Sequence, residues 1–153
     1  MMLALVLAGC QSTPAPAPSS VPVATPRPAA PPLVVERQWL QSWFGGTPVV
    51  IAQQGAGPVA LEVPLEFSFQ AGRREVKPPL AAVLDKLAEA LRRQPQMTLA
   101  LAAPADAGGD AVLAAQRAGA LRSYLLERGA GSAQLGAPQA APGRAVKLRL
   151  ETR

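Results

Sequence analysis

Residues 110–129, with the sequence DAVLAAQRAGALRSYLLERG, decide the fold prediction. Apolar side chains recur in them at helical spacing, which predicts an amphipathic helix from about Asp110 to Arg128 that ends at Gly129. The members of this apolar stripe are Leu113, Leu121, Tyr124 and Leu125. Arg117 lies in the middle of the stripe. A cation there needs a buried partner, or it extends its stem so that the charged head reaches water, and the sequence leaves both alternatives open.

The segments around this helix alternate between strand and helix patterns. Val59–Phe69 alternates apolar and polar residues, which predicts a half-buried strand, and Pro64 within it indicates an edge or a bulge. An apolar stripe that follows Pro78 predicts a helix ending near Arg93. Three further strands are predicted at 97–103, around 134–135 and at 145–151. This order predicts an α/β domain of the two-layer α+β kind, with two helices on one face of a mixed sheet.

Residues 34–58 form a lead-in to the predicted domain at 59–153. They contain a short predicted helix over 34–44 and a short strand over 47–52. Trp39 and Trp43 share one side of the helix, where they could bind a ligand, or pack in the core or at its edge. Packing is the favoured interpretation, because tryptophan is highly buried on average in folded proteins.

The only cysteine, Cys10, ends the run LAGC after an apolar start, which looks like the processing signal of bacterial lipoproteins. Residues 1–9 are therefore predicted to be a signal peptide, and Cys10 to carry acyl chains that insert in a membrane. No basic residue precedes the apolar run, so we expect translation to start upstream. Gln11 resembles an outer-membrane address, which implies a lipid-anchored protein with its domain in the periplasm. The alternative is a truncated apolar N-terminus with a chance cysteine.

Residues 10–33 are predicted to be the lipidated cysteine followed by a tether rich in proline and alanine. Prolines occur at positions 14, 16, 18, 22, 26, 28, 31 and 32, which favours extended polyproline II and prevents the burial of a core. At about 3.1 Å per residue, such a tether reaches roughly 70 Å. It would hold the domain away from the membrane.

The composition excludes several classes of function. The net charge is +5, but the basic residues are scattered, which is typical of a solvated surface. A lipoprotein of the envelope meets an anionic cell wall or lipid headgroups rather than nucleic acid. The chain has no histidine and one cysteine, which removes the common triads and zinc sites, so we predict neither an enzyme nor a metal or cofactor.

Asp106 is the candidate partner for Arg117, because it lies in the loop that enters the same helix. An aspartate and an arginine beside a helix N-terminus can hold a zwitterion together. The carboxylate binds an ammonium group, and the guanidinium and the free helix amides bind a carboxylate.

Arg117–Gly129, RAGALRSYLLERG, resembles the RA-x-x-V-x-x-Y-L-x-x-x-G segment of OmpA-like domains, the peptidoglycan-binding modules of Gram-negative envelopes. The stretch PLEFSF before VKPPLAAVLDKLAEAL resembles the first strand and helix of that family, and GRAVKLRLE at 143–151 resembles its closing motif. Their order and spacing cover about residues 59–153. The resemblance implies an OmpA C-terminal-like βαβαβ(β) fold with two helices packed on a mixed sheet.

The same resemblance implies a binding site for peptidoglycan. In the family, an aspartate and the arginine of the R-A motif grip the diaminopimelate of the stem peptide, and Asp106 and Arg117 fill those positions here. Asp110 stands where the family has asparagine, and it can cap the helix in competition with the ligand. The loop between Asp106 and Asp110 is about four residues shorter than the family pattern.

Two hypotheses follow. The first is an outer-membrane lipoprotein whose periplasmic domain binds peptidoglycan non-covalently through the stem peptide and tethers the outer membrane to the wall. The second is a degenerate domain that acts as a protein-interaction module in an envelope or secretion assembly, where Arg117 is a structural partner of Asp106 or Asp110. Under the first, Arg117→Ala weakens wall binding with little effect on stability. Under the second, it lowers stability.

Overall fold

The structure is a computed structural model that describes residues 30–153. It contains four α-helices, which are α1 (Pro32–Phe44), α2 (Leu65–Ser68), α3 (Pro78–Arg93) and α4 (Ala111–Glu127). The strands are β1 (Val50–Gln53), β2 (Val59–Pro64), β3 (Met97–Pro104), β4 (Gln139–Ala141) and β5 (Ala145–Thr152), with a 3₁₀ turn at Ser132–Gln134. The predicted signal peptide, Cys10 and the tether up to residue 29 lie outside the described residues.

The five strands form one mixed sheet in the order β1-β2-β5-β3-β4. β5 pairs antiparallel with both β2 and β3, and β3 pairs parallel with β4. The register of the central strand is defined by Leu148 of β5, which pairs with Leu61 of β2 on one side and with Leu101 of β3 on the other. The predicted α+β fold with helices on a mixed sheet is confirmed.

One face of the sheet is buried and the other is open. In β5 the buried and exposed residues alternate, so Val146 and Leu148 face the core while Lys147 and Arg149 face solvent. The apolar stripe of α3 is fully buried, and α4 contributes Leu121 to the same core. α1 also packs on it through a buried set of Leu33, Leu40 and Phe44. Among residues 30–153, no helix is long and apolar enough to span a membrane.

The predicted strand over Val59–Phe69 is wrong beyond Pro64. β2 ends there, because proline has no amide hydrogen for the next strand pair, and the chain turns into the short helix α2. The Ser68 hydroxyl holds this turn by donating to the Pro64 carbonyl at 2.9 Å. The predicted edge at Pro64 is confirmed for this residue, because β1 pairs with β2 only as far as Glu62 and Pro64 has a neighbouring strand, β5, on one side only.

Two other predictions need correction. The strand expected around 134–135 is a 3₁₀ turn with a single bridge between Leu135 and Leu99, and the short strand lies later, in β4. β1 begins at Val50 rather than at 47. The tryptophans pack at the edge of the core: Trp39 is half-buried against it, and the ring of Trp43, which is 54% exposed, contacts the Trp39 ring edge-on with centroids 6.4 Å apart. The spacing that places both rings on one side of α1 does not fix how far each lies from the sheet.

Candidate functional site

The candidate site lies at the carboxyl end of β3, where Arg117 of α4 meets the loops at 69–77 and 105–110. The Arg117 side chain is 0% exposed, so it is buried and does not extend to water. The alternative in which the charged head reaches the surface is therefore wrong. Its guanidinium carbon lies 5.0 Å from the centroid of the Phe69 ring, which is within the range of a cation–π contact.

Arg117 is bound on several sides by its own chain. Its Nη2 donates to Asp106 Oδ1 at 2.7 Å and to the Gln70 carbonyl at 3.0 Å. Its Nε donates to the Arg73 carbonyl at 2.8 Å, and Nη1 donates to the Pro104 carbonyl at 3.0 Å. Because an arginine has five N–H groups, these four hydrogen bonds satisfy most of its capacity and the buried charge is well compensated. Arg117 thus joins α4, the end of β3 and the 69–77 loop.

Asp106 is the exposed member of the pair. Its side chain is 30% exposed, and Oδ2 accepts a hydrogen bond of 2.6 Å from the Gly72 amide. The Gly72 amide, followed by the Arg117 guanidinium, lowers the pKa of the Asp106 carboxyl below its ordinary 3.8, and the charge of Arg144 adds to the effect. The carboxylate is therefore held as an anion in one orientation.

Asp110 lies at the start of α4 and is not a partner in the ion pair of Asp106 and Arg117. Its Oδ1 accepts hydrogen bonds from the amides of Val112 at 2.9 Å and Leu113 at 3.2 Å, so it is the N-cap of α4. The chain turns between Asp106 and Asp110 through Gly108 and Gly109, which have φ values of 118° and 78°. The structure therefore brings Asp106 and Arg117 together, while Asp110 binds the helix amides.

A groove of about 490 Å³ opens beside Asp106. Its lining consists of charged side chains over an apolar base, with the loop backbone between them: Leu65, Glu66, Phe69, Gln70, Ala71, Lys77, Asp106, Ala107 and Arg144. Two carboxylates and two cations line one opening, so the groove can hold a ligand that carries both an ammonium and a carboxylate. Among residues 30–153, no cluster of acidic side chains is arranged to hold a metal ion.

Sequence reasoning missed most of the groove. Lys77 and Arg144 are two of the scattered basic residues, and their pattern does not indicate that they share a groove; Gly143-Arg144 of the closing motif is the signal that could have pointed to Arg144. The carbonyls that bind Arg117 had no such signal. They belong to residues 13, 44 and 47 positions away, and every residue type has a backbone carbonyl.

No family model and no curated protein matches the sequence. Solved structures do match the fold. A putative MotB-like protein from Desulfovibrio vulgaris has a TM-score of 0.65 at 20% identity, over 79% of this chain and 92% of that one. The cell wall anchor of the T6SS from Pseudomonas aeruginosa has a TM-score of 0.59 at 13% identity, over 80% and 99% of the two chains.

The third similar structure is the OmpA-like domain of FopA1 from Francisella tularensis, with a TM-score of 0.53 at 11% identity. It matches over 68% of this chain and 80% of that one. At these identities the likeness concerns the fold. The chain therefore has the fold of OmpA-like domains, as its sequence motifs implied.

Proposed function

We propose that this domain binds peptidoglycan non-covalently, through the zwitterionic end of the diaminopimelate in the stem peptide. The proposal is based on the Asp106 carboxylate. Hydrogen bonds from Arg117 and Gly72 fix its orientation, and it is partly exposed at a groove that also contains cations. Such a carboxylate is prepared to accept an ammonium group, because its orientation and charge are set before the ligand arrives.

Asp106 keeps capacity for a ligand. A carboxylate has about four lone-pair sites, and the bonds from Arg117 and Gly72 occupy one on each oxygen. An ammonium group entering the groove can use the remaining sites and form a charge-assisted hydrogen bond. Arg117 serves this function by holding Asp106 in place.

The comparisons support a role in the cell envelope. One structure of this fold is described as a cell wall anchor and another as an OmpA-like domain. We propose that the domain lies in the periplasm and that acyl chains on Cys10 connect it to the outer membrane through the tether at 10–33. The protein would then link the outer membrane to the wall, as a binding protein and not as an enzyme.

The test is co-sedimentation with purified sacculi of the chain carrying Cys10→Ser, so that no acyl chain contributes. We expect binding that free diaminopimelate competes, and that Asp106→Asn reduces. Asp85→Asn is the matched control, because it removes the same charge from α3 at a residue outside the groove. Absence of binding by the folded chain, or equal loss in both variants, would contradict the proposal, and so would hydrolysis of the sacculi.

A protein-interaction module in an envelope assembly is the second candidate. An apolar groove of about 320 Å³ beside the exposed Trp43 favours it. Phe44, Pro48, Val49 and Phe67 line this second groove. A folded chain that does not sediment with sacculi, but whose partner binding is lost in Trp43→Ala, would establish this function instead.

A further inference from the structure

We propose that Arg144, with help from Lys77, binds the carboxylate of the zwitterion, in place of Arg117. The inference rests on the proposed function and assigns the second half of the same site. It concerns the residue that recognises the anionic group of the ligand once Asp106 holds the cationic one.

Arg117 is poorly placed for an external carboxylate. It is 0% exposed, and three backbone carbonyls and Asp106 already occupy four of its five N–H groups. Binding a ligand through Arg117 would break bonds that hold three segments of the chain together. The loss of these hydrogen bonds, above all of the buried one to the Pro104 carbonyl, would oppose that exchange.

The amides of α4 do not provide an alternative. Asp110 accepts hydrogen bonds from the Val112 and Leu113 amides, and its own negative charge lies at this helix end. A ligand carboxylate would have to displace that side chain and would meet a like charge. From the sequence alone, the ligand carboxylate is expected to bind the Arg117 guanidinium and the free amides of α4. Both of these groups are already hydrogen-bonded within the chain.

Arg144 has the properties that Arg117 lacks. It is exposed, it lines the groove together with Asp106, and its charge lowers the pKa of that carboxyl. Within residues 30–153, its guanidinium has neither a hydrogen bond nor an ion pair, so its planar fork is available for a carboxylate. The backbone is fixed beneath it, because the Arg144 carbonyl accepts a hydrogen bond of 2.9 Å from the Leu65 amide.

Lys77 adds a second cation to the same lining. Its Nζ donates to the Glu66 carbonyl at 2.7 Å, which holds the ammonium at the groove and leaves two of its three N–H groups. Arg144 and Lys77 therefore form a cationic side of the groove, and Asp106 forms the anionic side. A ligand that carries only one of the two charges would use half of the site.

The test compares Arg144→Ala with Arg149→Ala in the full chain carrying Cys10→Ser. Both substitutions remove one positive charge near β5, but Arg149 lies on the open face of the sheet and outside this groove. We expect the Kd for diaminopimelate, measured by calorimetry, and for sacculi to rise about tenfold in Arg144→Ala, as a charged hydrogen bond implies. Arg149→Ala should bind as the parent does, and the unfolding midpoints of both should stay unchanged.

Arg144→Lys refines the assignment. Arg144→Lys keeps the positive charge but loses the bidentate fork, so its affinity should lie between those of Arg144→Ala and the parent. If Arg144→Ala binds as the parent does while Asp106→Asn loses binding, this inference is overturned and the proposed function stands. Equal losses in Arg144→Ala and Arg149→Ala would indicate general charge attraction and overturn it too. If the parent chain does not bind, both proposals fail.

Discussion

At the scale of single residues, Arg117 is the centre of the site because of what it joins. One guanidinium satisfies carbonyls from the 69–77 loop and from the end of β3, and it fixes the carboxylate of Asp106. Both functional hypotheses therefore share one consequence. A change at Arg117 affects stability whether or not the wall is the ligand, so the stability of an Arg117 variant does not distinguish them.

Arg117→Ala should lower the free energy of unfolding by about 3–5 kcal/mol, because it removes four hydrogen bonds from a buried cation and leaves the buried Pro104 carbonyl without its donor. Chemical denaturation monitored by circular dichroism measures this change. Arg149→Ala, at an exposed position, is the control and should stay within about 0.5 kcal/mol of the parent. An Arg117→Ala variant as stable as the parent would mean that its four hydrogen bonds do not form in solution.

Asp106 gives the stability a dependence on pH with a definite sign. Its folded-state pKa is lowered, first by the Gly72 amide and then by Arg117, so its contribution is fully present above the ordinary aspartate value of 3.8. That contribution is lost as the pH falls below this value through the folded pKa. In Asp106→Asn, the free energy of unfolding should fall less over this acidic range than it does in the parent. Denaturation series at successive acidic pH values measure it, and parallel curves would contradict the assignment.

At the scale of elements, some helices have local sequence signals at their ends, whereas others depend on their tertiary surroundings. α4 begins with a side-chain cap from Asp110 and is followed by Gly129, which has a φ of 87°. α3 begins with two prolines and ends with basic residues in its last turn. α2 has no comparable pattern and forms only because β2 cannot continue past Pro64.

Asp110→Ala should lower the free energy of unfolding by about 1 kcal/mol, because two amides at the start of α4 lose their acceptor. Asp110→Asn keeps an oxygen for the cap and should be close to the parent in stability. Thermal unfolding of the two variants checks the difference. Equal destabilisation by alanine and asparagine would mean that the charge, and not the cap, is what matters at this position.

At the scale of the whole molecule, the lead-in at 34–58 supplies structure to the sheet and the core. It provides α1 and the edge strand β1, which pairs antiparallel with β2. Leu33 and Leu40 of α1 are buried in the main core, and Arg93 of α3 forms a 2.7 Å ion pair with the buried Glu36. A fragment that starts at 59 would expose this surface and turn β2 into an edge.

Leu40→Ala should therefore lower the free energy of unfolding by about 2–5 kcal/mol, as expected for a fully buried leucine. The fragment 59–153 should unfold at a lower temperature than 30–153 and bind a hydrophobic dye. Val35→Ala, at an exposed position of the same helix, is the control and should change little. A fragment 59–153 as stable as 30–153 would show that the lead-in is an appendage.

Local sequence signals were sufficient to predict the elements that have local causes, and the fold that those elements imply. α3, α4, β3 and β5 lie close to their predicted bounds, because helix and strand periodicity, proline, glycine and a capping aspartate act within a few residues. The motif order also indicated that Asp106 and Arg117 belong to one site, and the structure places them 2.7 Å apart.

Tertiary contacts alone set the partners of the other Arg117 donors, the charges that share the groove, and the distance of Trp43 from the core. Each of these depends on segments that are distant along the chain and meet only when the sheet forms. The partners of Arg117 are backbone carbonyls, which every residue has and no pattern of side chains reveals. The insertion of β5 between β2 and β3, which brings Arg144 to the end of the sheet near Asp106, likewise follows from pairing between strands that are distant along the chain.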